Sequence, residues 1–147
     1  MSKFFQAVLS GIFFTYFIDF FLLLGIKLNY IDLYEIEIFY NIFFADNQNI
    51  YIYLVTSFFI GYLTIYLNAI KTKLFIIGTL FLFSLLSLIQ PIGSALGELL
   101  FMKKNIILYT DRYSFRGDLY YSGREYIRFY DYDLKKIINL SKKELKQ

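Results

Sequence analysis

The sequence predicts an α-helical integral membrane protein with about three membrane helices and a small C-terminal antiparallel β domain, an SH3-like meander. Three observations carry that fold class. Across 147 residues the side chains are 58% hydrophobic and only 18% charged. Three apolar stretches are long enough to cross a bilayer. Beyond residue 104 the long apolar runs give way to short Ile/Tyr/Phe segments divided by turn residues. The expected division is a membrane domain over residues 1–102, with helices at 4–26, 50–69 and 74–101 and an interfacial segment at 28–48, followed by a basic β domain at 105–147.

The first stretch, Phe4 to Ile26, contains one charge, Asp19, and as a helix it reaches roughly 34 Å, enough for the hydrocarbon core. A cleaved leader is the competing reading. The single-lysine start, the length of the apolar run and the lack of an A-x-A-like site speak against it. Between the first two helices, Asp32, Glu35, Glu37 and Asp46 are interleaved with Tyr, Ile and Phe, which reads as an interfacial helix or packed cap with tyrosines at headgroup depth. Asn49 is the expected N-cap of the uncharged second helix. The third stretch is longer than one crossing needs and is interrupted at Gln90-Pro91-Ile92-Gly93. Because proline removes a helix bond, a kink or a separate shallow segment is expected there.

In the tail, strands are expected at 105–110, 113–121, 126–132 and 134–140. Tyr113, Phe115, Gly117, Leu119 and Tyr121 share one face of the second strand and Ser114, Arg116 and Asp118 the other. Gly117 marks an expected bulge or bend, and Ser141 to Leu145 the closing segment. With only ~43 residues, such a module has a thin core and leans on the membrane domain or an oligomer for stability.

Charge divides the chain. Residues 1–102 carry a net −2 and the remaining residues a net +5. Lys3, Lys71 and Lys73 lie at one end of three simple crossings; Lys27, Lys103, Lys104 and the tail lie at the other. The positive-inside rule puts the tail in the cytoplasm, either by three crossings with the N-terminus outside or by a re-entrant hairpin at Pro91 that returns Lys103 and Lys104 to the Lys3 side. The expected address is a bacterial inner (cytoplasmic) membrane, multi-pass.

No Cys or His is present, so thiolate nucleophiles, Cys/His zinc sites and imidazole bases are excluded from the chain's own chemistry. There is no G-x-S-x-G, Walker or H-E-x-x-H motif. The chain reads as a non-enzyme without cofactor or resident metal. Small and polar residues recur at helical spacing in Ala7/Gly11/Thr15/Asp19, Ser57/Gly61/Thr64/Asn68 and Ser84/Ser87/Pro91/Ser94, and these stripes are expected to face one another in a compact bundle. Asp19, Thr15, Glu98 and Gln90 form the candidate intramembrane polar site, with Asp19 and Glu98 in the same half of the bilayer and Lys27, Lys103 or Lys104 as counter-ions. The acids at 32–46 are a weaker candidate for a divalent cation. Lys103, Lys104, Arg112, Arg116, Arg124 and Arg128 are the candidate contacts to a partner protein or to anionic headgroups; nucleic acid is not an expected partner.

Function follows as an expectation of the same kind. The chain reads as a small accessory or adaptor subunit that anchors a basic β domain at the membrane, with the bilayer and a protein partner or further copies of itself as its company. The alternative is a subunit of an oligomeric small channel or of an ion- or proton-linked transporter, using Asp19 and the Ser/Thr/Gly helix faces.

Overall fold

The computed structural model describes residues 2–110 and 113–145. Five helices precede a four-stranded antiparallel sheet at the C-terminal end. Helix α1, Lys3–Ile26, begins at Ser2, whose hydroxyl accepts from the Phe5 amide, and runs on into a π turn over Lys27–Ile31. The wider turn brings both Tyr30 and Ile31 inward, and neither has any exposed surface. After a left-handed residue at Glu35 (φ 53°), an extended stretch leads to α2, Tyr40–Asn47, and then to α3, Ile50–Tyr66, capped by Asn49 Oδ1 on the Tyr51 and Ile52 amides. Helix α4, Ile70–Leu86, starts four residues earlier than expected. Lys73 therefore lies inside the helix, and its Nζ reaches back to the Thr64 carbonyl at 3.0 Å, satisfying an orphan carbonyl near the end of α3.

The small-residue stripes form two contacts, both on α1. Helix α3 runs antiparallel to it, with Ala7 and Gly11 set against Gly61 and Ser57. A methyl group on Gly11 would stand 1.9 Å from the Ser57 carbonyl oxygen, and one on Gly61 would stand 2.1 Å from that of Ala7. Backbone thus packs on backbone, as small residues allow. At the other end of α1, Ser87 fits against Gly25 and donates to the Phe21 carbonyl at 3.0 Å. The expected three-way bundle is corrected here: α3 and α4 scarcely meet, Asn68 is exposed, and α1 is the shared spine.

Pro91 does not kink a helix. The chain turns at Ser87–Ile89 and restarts as α5, Gln90–Phe101, bent 90° from α4, with Pro91 in the first turn, where no amide bond is lost. Of the two expected forms, the break into a separate segment is found. Helix α4 travels from the Thr64 end of the bundle to Gly25 and does not return, so Lys103 and Lys104 stand at the end opposite Lys3 and Lys73. Helix α2 likewise lies 82° from α3. The two bent helices form a collar at one end of the bundle.

Among the described residues, α1 with its π turn is the one helix long and apolar enough by itself to cross a membrane; α2 with α3, and α4 with α5, qualify only as bent pairs. The bundle exterior is apolar on all three long helices. Leu9 and Phe13 on α1, Val55 (71% exposed) and Phe58 on α3, and Leu74 and Phe75 (75%) on α4 all face outward.

Strands β1 (Lys103–Tyr109), β2 (Ser114–Ser122), β3 (Tyr126–Asp131) and β4 (Lys136–Ser141) pair in chain order as an antiparallel meander. Their shared face buries Leu119, Ile127, Phe129 and Leu140, flanked by Ile106, Leu108, Phe115, Ile138 and Leu145. A bridge from Thr110 to Leu145 curls the sheet so that the segment after β4 reaches the end of β1. The β3–β4 turn is held by Asp131, buried, accepting from the amides of Asp133 and Leu134 at 2.8 Å each, which shortens the expected fourth strand at its start.

On its β1 side Gly117 borders a register shift, pairing with Ile106 while Leu119 pairs with Lys103. Gly117 pairs regularly with Asp131 and is needed because a side chain would lie 1.8 Å from the Tyr130 carbonyl. On the β3 side the register shifts between Leu119 and Tyr121. The β2 slip turns Tyr121 to the face opposite Leu119. Tyr121 leaves the sheet core and enters the core of the helical end with Ile26, Tyr30, Ile31 and Phe43.

Candidate functional site

The site with most construction behind it is the seat where the collar meets the sheet. Tyr30, delivered by the π turn, donates from Oη to the Tyr120 carbonyl at 2.8 Å. Its ring packs against Gly97 of α5, where any side chain would strike it. Tyr34 packs its ring at a tilt on Tyr120, 4.2 Å between centroids, and Tyr120 in turn faces Tyr130 at 6.4 Å. On the other flank Tyr121 lies among Phe43 and Phe101, with Asn47 Nδ2 donating to its hydroxyl at 3.2 Å. The aromatic surfaces supply buried area and the polar tips fix orientation.

Two arginines complete the seat. Arg124, in the β2–β3 turn, grips Asp46 of α2 through Nε and Nη2 at 2.5–3.0 Å. The hydrogen bond from this guanidinium holds the Asp46 carboxyl below its ordinary range and raises the arginine in turn. Arg128 donates from Nε to the Tyr34 carbonyl at 3.2 Å and from Nη1 to Asn139 Oδ1 at 3.1 Å, with Glu35 at 3.5 Å. Arg124 and Arg128, expected to face a partner or headgroups, are thus engaged within the chain. Arg128 shares with Tyr121 the sheet face that meets the helices, and Arg124 lies in the turn beside it.

The remaining expected residues scatter. Lys103 and Lys104 are exposed at the start of β1. Arg116 is exposed and donates to Asn105 Oδ1 at 3.1 Å; Arg112 lies outside the described residues. Asp19 accepts from Gln48 Nε2 at 3.2 Å. Lys27 pairs with Asp32, not with Asp19. Glu98 is exposed on α5 beside Gly97, which meets Tyr30 of the π turn, eleven residues beyond Asp19. The two carboxylates are therefore not brought together. Gln90 is exposed at the start of α5, where its carbonyl accepts from Ser94. Thr15 is 1% exposed and, like Ser57 across the α1–α3 contact, has a hydroxyl with no hydrogen-bond partner. Asp32, Glu35 and Asp46 disperse onto Lys27, Arg128 and Arg124, and among the described residues no group of three carboxylates converges on a cation site.

Sequence reading missed Tyr30, Tyr34, Tyr120 and Gln48. For the tyrosines the only signal was abundance, since their roles depend on the π turn and on a register slip. No protein-family model matches the chain, and no curated protein or solved structure matches it at a significant level.

Proposed function

We propose that this chain is a non-enzymatic adaptor of a bacterial cytoplasmic membrane: α1, α3 and α4 embedded, α2 and α5 lying at the boundary, and the sheet held there to receive a partner protein. The observation that carries the reading is the division of the surface. The long helices expose Phe, Leu, Ile, Val and Tyr over most of their length, while lysines and arginines collect at the sheet end. An apolar exterior of that extent calls for lipid or a large apolar partner. The two collar helices, bent 82° and 90° from their neighbours, have the geometry of segments lying in an interface plane. Leu99, 80% exposed on α5, would enter the acyl boundary. The seat of Tyr30, Tyr121, Arg124 and Arg128 supports a sheet presented at a fixed distance and orientation instead of one swinging on a linker. With Lys27, Lys103, Lys104 and the basic sheet at one end, the charge rule favours that end as cytoplasmic.

Alkaline carbonate extraction of membranes tests the embedding: retention in the pellet is expected, and release into the supernatant overturns it. C-terminal fusions to a cytoplasm-active and a periplasm-active reporter test orientation, and activity from the periplasmic fusion alone reverses it.

A second reading, a subunit of an oligomeric channel or proton-linked transporter, is favoured by the buried, unpartnered hydroxyl of Thr15 on the same α1 stripe as Asp19, with that of Ser57 across the α1–α3 contact. Three helices line a path only by assembling. A single-chain mass in detergent, or unaltered ion-linked transport in Asp19→Asn, removes this reading.

A further inference from the structure

Beside the seat lies a cleft of about 640 Å³, within the ~300–1,000 Å³ span of ligand-binding pockets. One wall is the extended segment Ile36–Phe39; the other is the β2–β3 turn with the start of β3. Ile36, Ile42 and Tyr121 give it an apolar lining. Among the described residues the amides of Glu37, Ile38 and Phe39, and the carbonyls of Ile36, Glu37 and Ile38, make no hydrogen bond within the chain. An extended wall with its backbone unpaired has the same character as a sheet edge open to an added strand. Phe39 belongs to the same wall with 78% of its surface exposed.

Charge selects the occupant. Four carboxylates and two guanidinium groups line the cleft, and both arginines are already engaged, Arg124 by Asp46 and Arg128 by the Tyr34 carbonyl and Glu35. Glu37 and Glu125 have no cationic partner among the described residues. An anionic headgroup meets repulsion at that rim, whereas a cation completes it. We propose that the cleft binds an extended segment of a partner protein bearing lysine or arginine. Its backbone lies along residues 36–39, its apolar side chains pack over Ile36 and Ile42, and its cations sit at Glu37 and Glu125. This rests on the adaptor reading and names what the adaptor holds.

The test uses the full chain in neutral detergent micelles and a fluorescein-labelled eight-residue peptide of alternating lysine and valine, read by anisotropy, with a glutamate–valine peptide as its opposite. The basic peptide is expected to saturate at one per chain and the acidic peptide to remain free. E37Q/E125Q should weaken binding by about tenfold or more, through two lost charge contacts, while E144Q, outside the cleft, leaves it unchanged. A photocrosslinker at Ile38 should capture the peptide and one at Ile137 should not. Equal affinity in E37Q/E125Q, binding of the acidic peptide, or capture at Ile137 alone overturns the proposal, as does displacement of the peptide by micelles doped with phosphatidylethanolamine, which assigns the cleft to an amine headgroup. Because binding is read in micelles, its failure is separate from failure of carbonate retention: a carbonate-released chain that binds the peptide loses only its membrane assignment.

Discussion

Alanine at Gly11 or Gly61 probes the contact on which the bundle is built. The added methyl group would stand 1.9 Å from the Ser57 oxygen in the first case and 2.1 Å from the Ala7 oxygen in the second, both backbone atoms that no rotamer change can move. Relief requires the two helices to separate by roughly 1.5 Å to reach the ~3.5 Å of normal contact. Overpacking of this kind costs about 1–3 kcal/mol, partly offset by the ~0.5–1 kcal/mol that alanine gains over glycine inside a helix. A net loss of about 1–2 kcal/mol is expected for each variant. The double variant should lose less than the sum, because one separation relieves both clashes. Gly78 on α4 is the internal control: nothing lies within 4 Å of its position, so Gly78→Ala keeps the propensity gain and is expected to stabilise by roughly 0.5–1 kcal/mol. Reversible unfolding of the detergent-solubilised protein by increasing SDS, followed by circular dichroism, measures all four. Neutral or stabilising Gly11→Ala and Gly61→Ala would refute backbone-on-backbone packing of α1 and α3, and a destabilising Gly78→Ala would show that an outside helix covers α4.

Other expectations follow from the seat and the collar. Tyr121→Ala should free the sheet from the helical end at a cost of about 3–5 kcal/mol, as for other large buried aromatics, read as faster proteolysis within β1–β4 while α1 stays protected. Asp46 has a folded pKa below its ordinary value because Arg124 hydrogen-bonds its carboxylate. Its contribution is therefore complete above the unfolded value of about 3.9 and is lost as pH falls through the depressed one. The Asp46 carboxyl signal in an NMR titration should return to the ordinary range in Arg124→Ala, and an unshifted wild-type signal would dismiss the pair. Pro91→Ala should leave stability within about 1 kcal/mol of wild type, because the proline sits in a first turn whose amides have no helix partner. Gly93→Ala, whose methyl group would lie 2.2 Å from the Ser87 carbonyl, should be clearly destabilising in the same SDS assay. The reverse ranking would restore a kinked continuous helix.

How much was legible in the sequence depended on the range of the interaction responsible. Asn49 as a cap, the break before Pro91, and the alternation of Phe115, Gly117 and Leu119 in β2 are decided by residues within a turn or two of one another, and all are readable from spacing. The small residues at 7, 11, 57 and 61 announced close helix contact for the same reason. They could not say which helices meet, and α1 alone took both partners.

What only tertiary structure decided lies where a local irregularity changes the face of everything beyond it. The slip between Leu119 and Tyr121 moves Tyr121 from the sheet face it was expected to share with Leu119 to the face of Arg128, against the collar, and the π turn at Lys27–Ile31 delivers Tyr30 to meet it. With a side-chain period of two, one extra residue reverses the assignment, and no property of the β2 sequence marks where that residue falls. The separation of Asp19 from Glu98 has a similar origin. Both belong to one half of the bundle by residue count, but the 90° bend sends α5 across the end of α1, so that Gly97, next to Glu98, meets Tyr30, eleven residues beyond Asp19. Composition set the solvent each part of this chain calls for, and the bends and slips, paid for by packing between distant segments, set which residues stand together.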